Sequence, residues 1–418
     1  MLMDINRLYT LFQTCFGVTT DSRKIGGGEM FFALRGESFD GNKFAVKALQ
    51  DGAAYAVIDS KEVAESNPEL SERLLLCSDT LTTLQNLAAE HRRRLSIPII
   101  AIVGSNGKTT TKELVSRVLA EKFRVYATRG NLNNHIGVPL TLLAMDSSTE
   151  FGVVEMGASA CGEIAMLCSI AQPDYGIITN IGNAHLGGFG GYLGVIKGKG
   201  ELYDYLNDNG GKAFVAQEDD TLTLMAAARL NMAVEPYSYS LSEGYKSHLS
   251  GDYNRHNIAA AVAIGRYFEI APNRIASAIE SYIPDNNRSQ EVITRKKNRL
   301  IIDCYNANPS SMEAALENIS EVAAEQKLLI LGDMLELGEW SCQEHTRILT
   351  KATNIDNAEI VLVGEEFRRA AHILGIDVST FATTAEAMLF LENAEISNTT
   401  ILLKGSRGIT LEKLIDKL

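Results

Sequence analysis

The chain has 418 residues, of which 45% are hydrophobic and 22% are charged, as is usual for a globular protein. That length exceeds what one hydrophobic core normally spans and predicts two or three domains. The formal net charge of -13 argues against general binding to nucleic acid or to an anionic membrane surface.

The cysteines and the apolar runs indicate where the protein works. The six cysteines are dispersed without a C-x-x-C pair, which favours reduced thiols over a disulfide framework or a zinc site. No apolar run reaches the roughly 18 residues that cross a bilayer. We therefore predict a cytoplasmic protein with no membrane partner.

Residues 1–95 are predicted to form a small α/β domain. Short apolar runs at residues 30–34 and 53–58 alternate with glycine-containing turns. Residues 81–94 have the spacing of a helix that leads out of this domain.

Residues 96–293 are predicted to form a central domain around a parallel sheet. Apolar strands predicted at residues 99–103, 151–155, 175–181 and 212–216 alternate with helices, which is the pattern of strands covered on both faces. An alanine-rich helix at residues 254–268 and a linker at residues 284–287 close the region. Ligands of such sheets lie beyond the carboxyl ends of the strands, so Gly104, Glu155 and Asn180 should gather there.

A phosphate-binding loop follows the first of these strands. Strand, glycine-containing turn and helix aim backbone N–H groups and a helix N-terminus at an anion, and the lysine meets the β- and γ-phosphates. The usual pattern has a further glycine where Ile102 stands. We expect a nucleoside triphosphate here, with a hydroxyl directed at Mg²⁺ from Thr109; the loop comprises Gly104, Ser105, Asn106, Gly107, Lys108, Thr109 and Thr110.

Three further polar residues follow in this domain. Glu155 ends a predicted strand, where a carboxylate can hold Mg²⁺, and His185 follows the next strand in a glycine-rich loop, where an imidazole can hold a second metal. Lys199 is predicted at the start of a helix. The residues by themselves leave open a solvated glutamate, a hydrogen-bonded loop histidine and a solvated lysine.

Residues 294–418 are predicted to form a third, doubly wound domain of the Rossmann type. Strands predicted at residues 300–303, 327–331, 359–363 and 400–403 alternate with helices. The ligand edge of this sheet should carry Asp303, Gly332, Gly364 and Lys404.

Several segments together resemble the Mur ligases, the ATP-dependent amide ligases of peptidoglycan precursor synthesis. The segments are residues 104–110, 128–141, 155–158, 185–187, 199–201, 251–257, 303–309, 331–338 and 404–407. Residues 130–134 (GNLNN), 305–309 (YNANP) and 332–334 (GDM) resemble the branch that adds D-alanyl-D-alanine. The resemblance covers all three predicted domains and implies a Mur-type fold.

The resemblance implies roles for individual residues. It implies two Mg²⁺ ions held by Thr109, Glu155, His185 and a carbamylated Lys199. It implies adenine contacts from Asn254 and Asn257, a ribose contact from Asp303 and a phosphate contact from Arg288. Lys108, His185, Lys199 and Arg288 are the expected catalytic residues. The expected substrate contacts are Ser22 and Arg23 for the uridine diphosphate, with Asn134, Asn306, Asn308, Ser311, Lys404 and Arg407 for the peptides.

The implied reaction joins D-alanyl-D-alanine to UDP-N-acetylmuramoyl-tripeptide through an acyl phosphate formed from ATP, by a protein expected to be a monomer. One alternative is another amide ligase, either a different Mur enzyme or a folylpolyglutamate synthase. A second alternative is a catalytically silent nucleotide-binding regulator that keeps the fold.

Overall fold

A computed structural model describes residues 4–284, 288 and 290–418 of the chain. Three parallel-stranded sheets succeed one another along the sequence, each with helices packed against it. The predicted three-domain α/β architecture is confirmed.

The first sheet is small and lies against the central part of the molecule. Its strands run in parallel in the order β1-β2-β5-β6, and β3 and β4 form a separate hairpin. The strands are β1 (Val18–Thr19), β2 (Met30–Phe32), β3 (Arg35–Gly36), β4 (Phe39–Asp40), β5 (Tyr55–Ile58) and β6 (Leu74–Leu76). The helices are α1 (Ile5–Phe12), α2 (Ala45–Gln50), α3 (Lys61–Ser66) and α4 (Thr80–Leu95).

Helix α4 joins the first sheet to the next part of the chain. The Asp79 side chain accepts a hydrogen bond from the backbone N–H of Thr82 and so caps its first turn. The helix confirms the prediction for residues 81–94 and buries Leu84, Leu87 and Ala88 in a core shared with the central sheet. The first domain is thereby fixed to the second by apolar packing.

The central sheet has six parallel strands in the order β12-β11-β10-β7-β9-β8. They are β7 (Ile99–Val103), β8 (Val125–Ala127), β9 (Phe151–Glu155), β10 (Tyr175–Ile178), β11 (Lys212–Ala216) and β12 (Ala233–Tyr237). The helices are α5 (Lys108–Ala120), α6 (Gly137–Leu143), α7 (Glu163–Ala171), α8 (Leu186–Phe189), α9 (Tyr192–Asn209), α10 (Asp220–Ala227), α11 (Asp252–Tyr267) and α12 (Pro272–Glu280).

The four strands predicted in this region are all present, although β10 ends at Ile178 rather than at residue 181. The sequence did not predict the edge strands β8 and β12. The first is only three residues long and half-buried, and the second is largely exposed and contains Pro236, so neither shows the longer apolar run of a buried strand.

The third sheet also has six strands, in the order β13-β14-β18-β15-β16-β17. They are β13 (Gln290–Ile293), β14 (Arg299–Asp303), β15 (Lys327–Gly332), β16 (Ala358–Val363), β17 (Ser379–Phe381) and β18 (Thr400–Lys404), and β13 alone is antiparallel to its neighbour. The helices are α13 (Pro309–Glu321), α14 (Ser341–Ala352), α15 (Glu365–Leu374) and α16 (Thr384–Glu392). The four predicted strands are confirmed, and β13 and β17 are additional.

The carboxyl ends of the central and third sheets border a common cleft, which is lined from both sides. Of the predicted linker at residues 284–287, residues 285–287 lie outside the described part of the chain. Among the residues described, none of the helices combines the length and the apolar character that crossing a bilayer requires.

Candidate functional site

The cleft between the central and third sheets has a volume of about 820 Å³. It brings together residues that are distant in the sequence, from Ser105 to Lys404. The predicted site residues that line it are Ser105, Asn106, Gly107, Lys108, Thr110, Asn134, Glu155, His185, Asn254, Asn257, Arg288, Asp303, Asn306, Asn308, Ser311 and Lys404.

The loop between β7 and α5 has the backbone of a phosphate cradle. Gly104 and Gly107 both have positive φ angles, of 147° and 77°. A Cβ atom at Gly104 would collide with the Thr179 hydroxyl, and one at Gly107 would collide with the amide oxygen of Asn257. Only glycine fits at both positions, so the backbone can approach an anion closely.

Hydrogen bonds fix this loop to the segment that follows β10. The Thr179 hydroxyl donates to the carbonyl of Asn106 at 2.6 Å, and the Asn106 N–H donates to Asn180 Oδ1 at 3.1 Å. The Ser105 hydroxyl donates to the Gly182 carbonyl at 3.0 Å. The loop is therefore preorganised by the neighbouring strand.

Lys108 lies at the first position of α5, and its Nζ donates to the carbonyl oxygens of Gly104 and Ser105 at 2.7 and 3.1 Å. Desolvation in the cleft lowers the pKa of Lys108 to about 8; Glu155 opposes this shift and Arg288 adds to it. Two cations that destabilise each other in one cleft favour an anion between them.

Glu155 provides the acidic group beside this loop. Its side chain is almost wholly buried, and Oε1 accepts a hydrogen bond from Asn133 Nδ2 at 2.8 Å. Oε2 is buried and has no hydrogen-bond partner among the described residues. An unpaired carboxylate oxygen that faces a phosphate loop fits Mg²⁺, which takes one or two protein carboxylates together with phosphate oxygens and water.

Thr109 lies beside Lys108 in the first turn of α5 and is buried. The described part of the chain contains no group of three or more His, Cys, Asp and Glu side chains that could hold a metal without other ligands. The residues present therefore fit a metal that is shared with bound phosphates.

His185 lies just before α8 with a left-handed backbone, at φ 52°. Its Nδ1 lies 2.6 Å from Oε2 of Glu336, a residue of the third domain that also has a positive φ. Contact with His185 lowers the pKa of the Glu336 carboxyl below its usual range. The sequence placed no function on Glu336, because its partner belongs to another domain.

Lys199 lies in the middle of α9, so the prediction that it starts a helix is wrong. The segment continues upstream as helix to Tyr192 because Gly194 and Gly198 pack closely against Phe189 and so serve as contact points rather than breaks. Lys199 does not line the cleft. It lies behind the wall, where its Nζ donates to the carbonyl of the lining residue Ala158 at 3.1 Å.

The Lys199 side chain is almost wholly buried, with Nζ 5.0 Å from the centroid of the Phe189 ring. Desolvation, and secondarily the charge of Lys108, lowers the pKa of Lys199 to about 7. A large fraction of this amine is therefore neutral near pH 7, which is the form that can act as a nucleophile.

Helix α11 forms the wall beside Gly107. Asn257 donates to Asn254 Oδ1 at 3.0 Å and accepts from the Thr111 hydroxyl at 3.0 Å, so these buried amides also connect α11 to α5. His256 lines the same wall and stacks on Tyr239 with the ring centroids 3.6 Å apart. This stacked pair was not predicted from the sequence, although His256 lies between Asn254 and Asn257, which were.

On the third domain, Asp303 and Lys404 form a buried ion pair at the ends of β14 and β18. Lys404 Nζ lies 2.6 Å from Asp303 Oδ2 and 3.4 Å from the carbonyl of Asn306. The two strands are adjacent and in register, which places these residues side by side. The pair neutralises Lys404, so this lysine is less available to a bound anion than the sequence alone indicates.

Asn308 and Ser311 form a capping box at the start of α13. The Asn308 side chain accepts from the Ser311 N–H at 2.9 Å and also donates to Asn106 Oδ1 of the phosphate loop at 2.7 Å. Ser310, which the sequence analysis did not select, accepts from the Asn183 N–H at 2.8 Å. These contacts dock the third domain against the phosphate loop.

Three of the candidate substrate residues lie outside the cleft. Arg407 is exposed beside Tyr305. Ser22 and Arg23 follow β1 at the carboxyl edge of the first sheet, where Arg23 forms an ion pair with Asp21 at 2.8 Å. Asn134 lines the cleft, and its Oδ1 accepts from the N–H groups of Ile136 and Gly137.

The chain was compared with protein families and with known proteins. Three family models match: one described as the Mur ligase family, catalytic domain, over residues 15–92; one as the Mur ligase middle domain, over residues 102–256; and one as the Mur ligase, glutamate ligase domain, over residues 287–407.

Two relatives that are similar over nearly the whole chain carry the same name. The UDP-N-acetylmuramoyl-tripeptide–D-alanyl-D-alanine ligase of Bacillus subtilis is 34% identical, over 96% of this chain and 93% of that protein. The protein of the same name from Escherichia coli is 31% identical, over 96% and 93%. A crystal structure of MurF from Acinetobacter baumannii superposes with a TM-score of 0.84 at 30% identity, covering 98% of this chain and 97% of that one.

Proposed function

The chain belongs to the Mur ligase family, and on that premise we propose that it joins D-alanyl-D-alanine to UDP-N-acetylmuramoyl-tripeptide with conversion of ATP to ADP and phosphate. The observation that carries the proposal is the shared cleft. It joins a phosphate loop with Lys108 and Glu155 on one side to the docked edge of the third sheet on the other.

The chemistry requires an activated acyl group, since a carboxylate is a poor electrophile. The terminal carboxylate oxygen of the tripeptide attacks the γ-phosphorus of ATP, the bond to ADP breaks, and an acyl phosphate forms. The amine of the dipeptide then attacks the acyl carbon, loses a proton, and phosphate departs. Several anions meet in this sequence, so the protein contributes positioning and charge neutralisation.

Within this reaction we assign distinct roles to residues of the cleft and to three residues outside it. Lys108 and Arg288 neutralise the phosphates, and the glycines of the loop admit their oxygens to the backbone N–H groups. We assign contact with the adenine to Asn254 and Asn257 and contact with the ribose to Asp303. Asn306, Asn308, Ser311, Lys404 and Arg407 form the edge that receives the dipeptide, while Asn134, Ser22 and Arg23 contact the nucleotide-linked tripeptide.

Thr109, Glu155 and His185 are the residues that would hold Mg²⁺. The metal supplies Lewis-acid stabilisation of phosphoryl charge. The unpaired Oε2 of Glu155 supports this assignment.

We further propose that Lys199 is carbamylated. Its neutral amine attacks carbon dioxide, a nitrogen–carbon bond forms, and one proton is released, so that a carboxylate-like anion replaces an ammonium group. The lowered pKa and the position behind Ala158 support the proposal. Protein prepared in ¹³CO₂ should show a carbamate signal by ¹³C NMR that is absent from Lys199→Ala, and acetate or formate should restore part of that variant's activity.

The decisive assay measures ADP release with UDP-muramoyl-tripeptides that end in lysine or in diaminopimelate, each with and without D-alanyl-D-alanine. ADP release that depends on both substrates supports the proposal. Release with a single amino acid in place of the dipeptide would instead indicate another Mur ligase or a folylpolyglutamate synthase. A regulator would release no ADP under any of these conditions.

Lys108→Ala provides the matched loss-of-function variant. It should abolish ADP release while the circular dichroism spectrum and melting temperature stay close to wild type, because the lysine bonds only to its own loop. Ordinary turnover by this variant would refute the phosphate-loop assignment.

We place the reaction in the cytoplasm, where ATP is available.

A further inference from the structure

Tyr305 lines the cleft and contacts two arginines. The Arg288 Cζ atom is 3.8 Å from the centroid of the Tyr305 ring, and the Arg407 Cζ atom is 5.3 Å from the same centroid. Nη1 of Arg407 also donates to the Tyr305 hydroxyl at 3.5 Å. A single ring therefore contacts two cations, one that precedes β13 and one that follows β18.

These arginines differ from the neighbouring lysine in how their charge is balanced. Lys404 is neutralised by Asp303 at 2.6 Å. Neither Arg288 nor Arg407 forms an ion pair with a carboxylate of the described residues. An aromatic face attracts a guanidinium without cancelling its charge, so both arginines remain able to bind an anion.

The two arginines differ in whether they line the cleft. Arg288 lines the cleft together with Lys108 and the other residues of the phosphate loop, which puts it on the phosphate side. Arg407 lies outside the lining, in the exposed turn after β18. The reaction has two anions that must be held apart across the acyl carbon: the triphosphate and the carboxylate of the dipeptide.

We propose that Tyr305 is a positioning residue that holds Arg288 toward the triphosphate and Arg407 toward the carboxylate of the incoming dipeptide. The inference rests on the proposed function. The ring limits the rotamers of two long side chains, each of which otherwise loses conformational freedom when it binds an anion. The hydroxyl serves Arg407 and the ring face serves Arg288.

Because the hydroxyl of Tyr305 serves Arg407 and the ring face serves Arg288, Tyr305→Phe and Tyr305→Leu should have different effects. Tyr305→Phe keeps the ring and removes the hydroxyl, so the KM for D-alanyl-D-alanine should rise about fivefold while the KM for ATP stays within about twofold of wild type. Tyr305→Leu removes the ring as well, so kcat/KM should fall about tenfold for both substrates. Because Tyr305 is only partly buried, both variants should fold.

Tyr267 offers a matched control. Lys212 Nζ lies 4.4 Å from the centroid of the Tyr267 ring. Lys212 is the first residue of β11, so the pair lies at the amino ends of the central strands, whereas the cleft lies at their carboxyl ends. Tyr267→Phe and Tyr267→Leu should leave all kinetic constants within about twofold of wild type, because this cation–π pair is not near the substrates.

A double-mutant cycle tests the route through Arg288. In the Arg288→Ala background, Tyr305→Leu should lower kcat/KM for ATP no further, since the side chain that it orients is gone. If Tyr305→Leu still lowers kcat/KM for ATP about tenfold in the Arg288→Ala background, the inference is overturned. Wild-type kinetic constants in Tyr305→Leu would also overturn it, as would an equal fall in kcat/KM in Tyr267→Leu. Failure of the proposed function appears separately, as absence of dipeptide-dependent ADP release by the wild-type enzyme.

Discussion

Replacing Lys199 by methionine should remove a pH dependence from the stability of the protein. The side chain is almost wholly buried, and desolvation lowers its pKa from 10.5 to about 7 in the folded state. Between these values the unfolded chain binds more protons at this position than the folded chain does. The free energy of unfolding therefore rises with pH across this window, and this added stability is lost as the pH falls toward 7.

The size of the effect follows from the two pKa values. Between pH 7 and pH 9 the folded amine becomes almost fully neutral while the unfolded amine stays charged, which adds about 2 kcal/mol to the free energy of unfolding. Lys199→Met buries a side chain of similar length without a charge, so this contribution disappears. Urea unfolding in carbon dioxide-free buffer at pH 7, 8 and 9 measures the difference between variant and wild type.

Lys197→Met is the matched control, because Lys197 lies two residues away on the same helix and is exposed. Its pH dependence should parallel that of wild type. If Lys199→Met also parallels wild type across the three pH values, Lys199 has no depressed pKa in the folded protein, and the physical basis of the proposed carbamylation is removed.

Three further substitutions test the site. Gly107→Ala should weaken nucleotide binding by at least about tenfold in calorimetry, because an L-residue at this φ is strained by about 1–2 kcal/mol and its Cβ collides with Asn257; wild-type affinity would contradict the cradle geometry. Asp303→Ala should lower the free energy of unfolding by roughly 3 kcal/mol in urea titration, because it leaves the buried Lys404 ammonium unpaired, and Asp303→Ala combined with Lys404→Met should recover most of that loss. Asn308→Ala should lower the free energy of unfolding by about 1 kcal/mol because the α13 cap is lost, and it should also raise the KM for ATP. A loss of stability with an unchanged KM would show that the hydrogen bond from Asn308 to Asn106 does not contribute to function.

Much of the fold is encoded locally. The strand β7 is entirely apolar because it is buried on both faces, and such a run can be recognised without knowledge of its neighbours. The edge strands β8 and β12 could not be recognised in this way, because an exposed strand owes its pairing to the register of the sheet beside it. The start of α9 was misplaced for a similar reason, since glycines that normally interrupt a helix are packed here against Phe189.

The residues of the candidate site also differ in whether a local sequence pattern identifies them. Lys108 and Glu155 could be selected because each follows a buried strand, and the carboxyl ends of parallel strands meet at one edge. Glu336 and Tyr305 were not selected as functional residues, because each acts on a residue from a distant segment. The contact between Asn106 and Asn308 spans 202 positions and exists only when the third domain is docked.

The amino-acid sequence by itself determined the phosphate loop, the buried strands of the two larger sheets, and the family of this protein, since these depend on spacing within short segments. The tertiary structure alone decided which charges are neutralised and which remain available. Lys404 is paired and Lys199 is desolvated, whereas Arg288 and Arg407 share a ring. Burial and pairing are properties of a three-dimensional neighbourhood, and that neighbourhood forms only when separate sheets pack together.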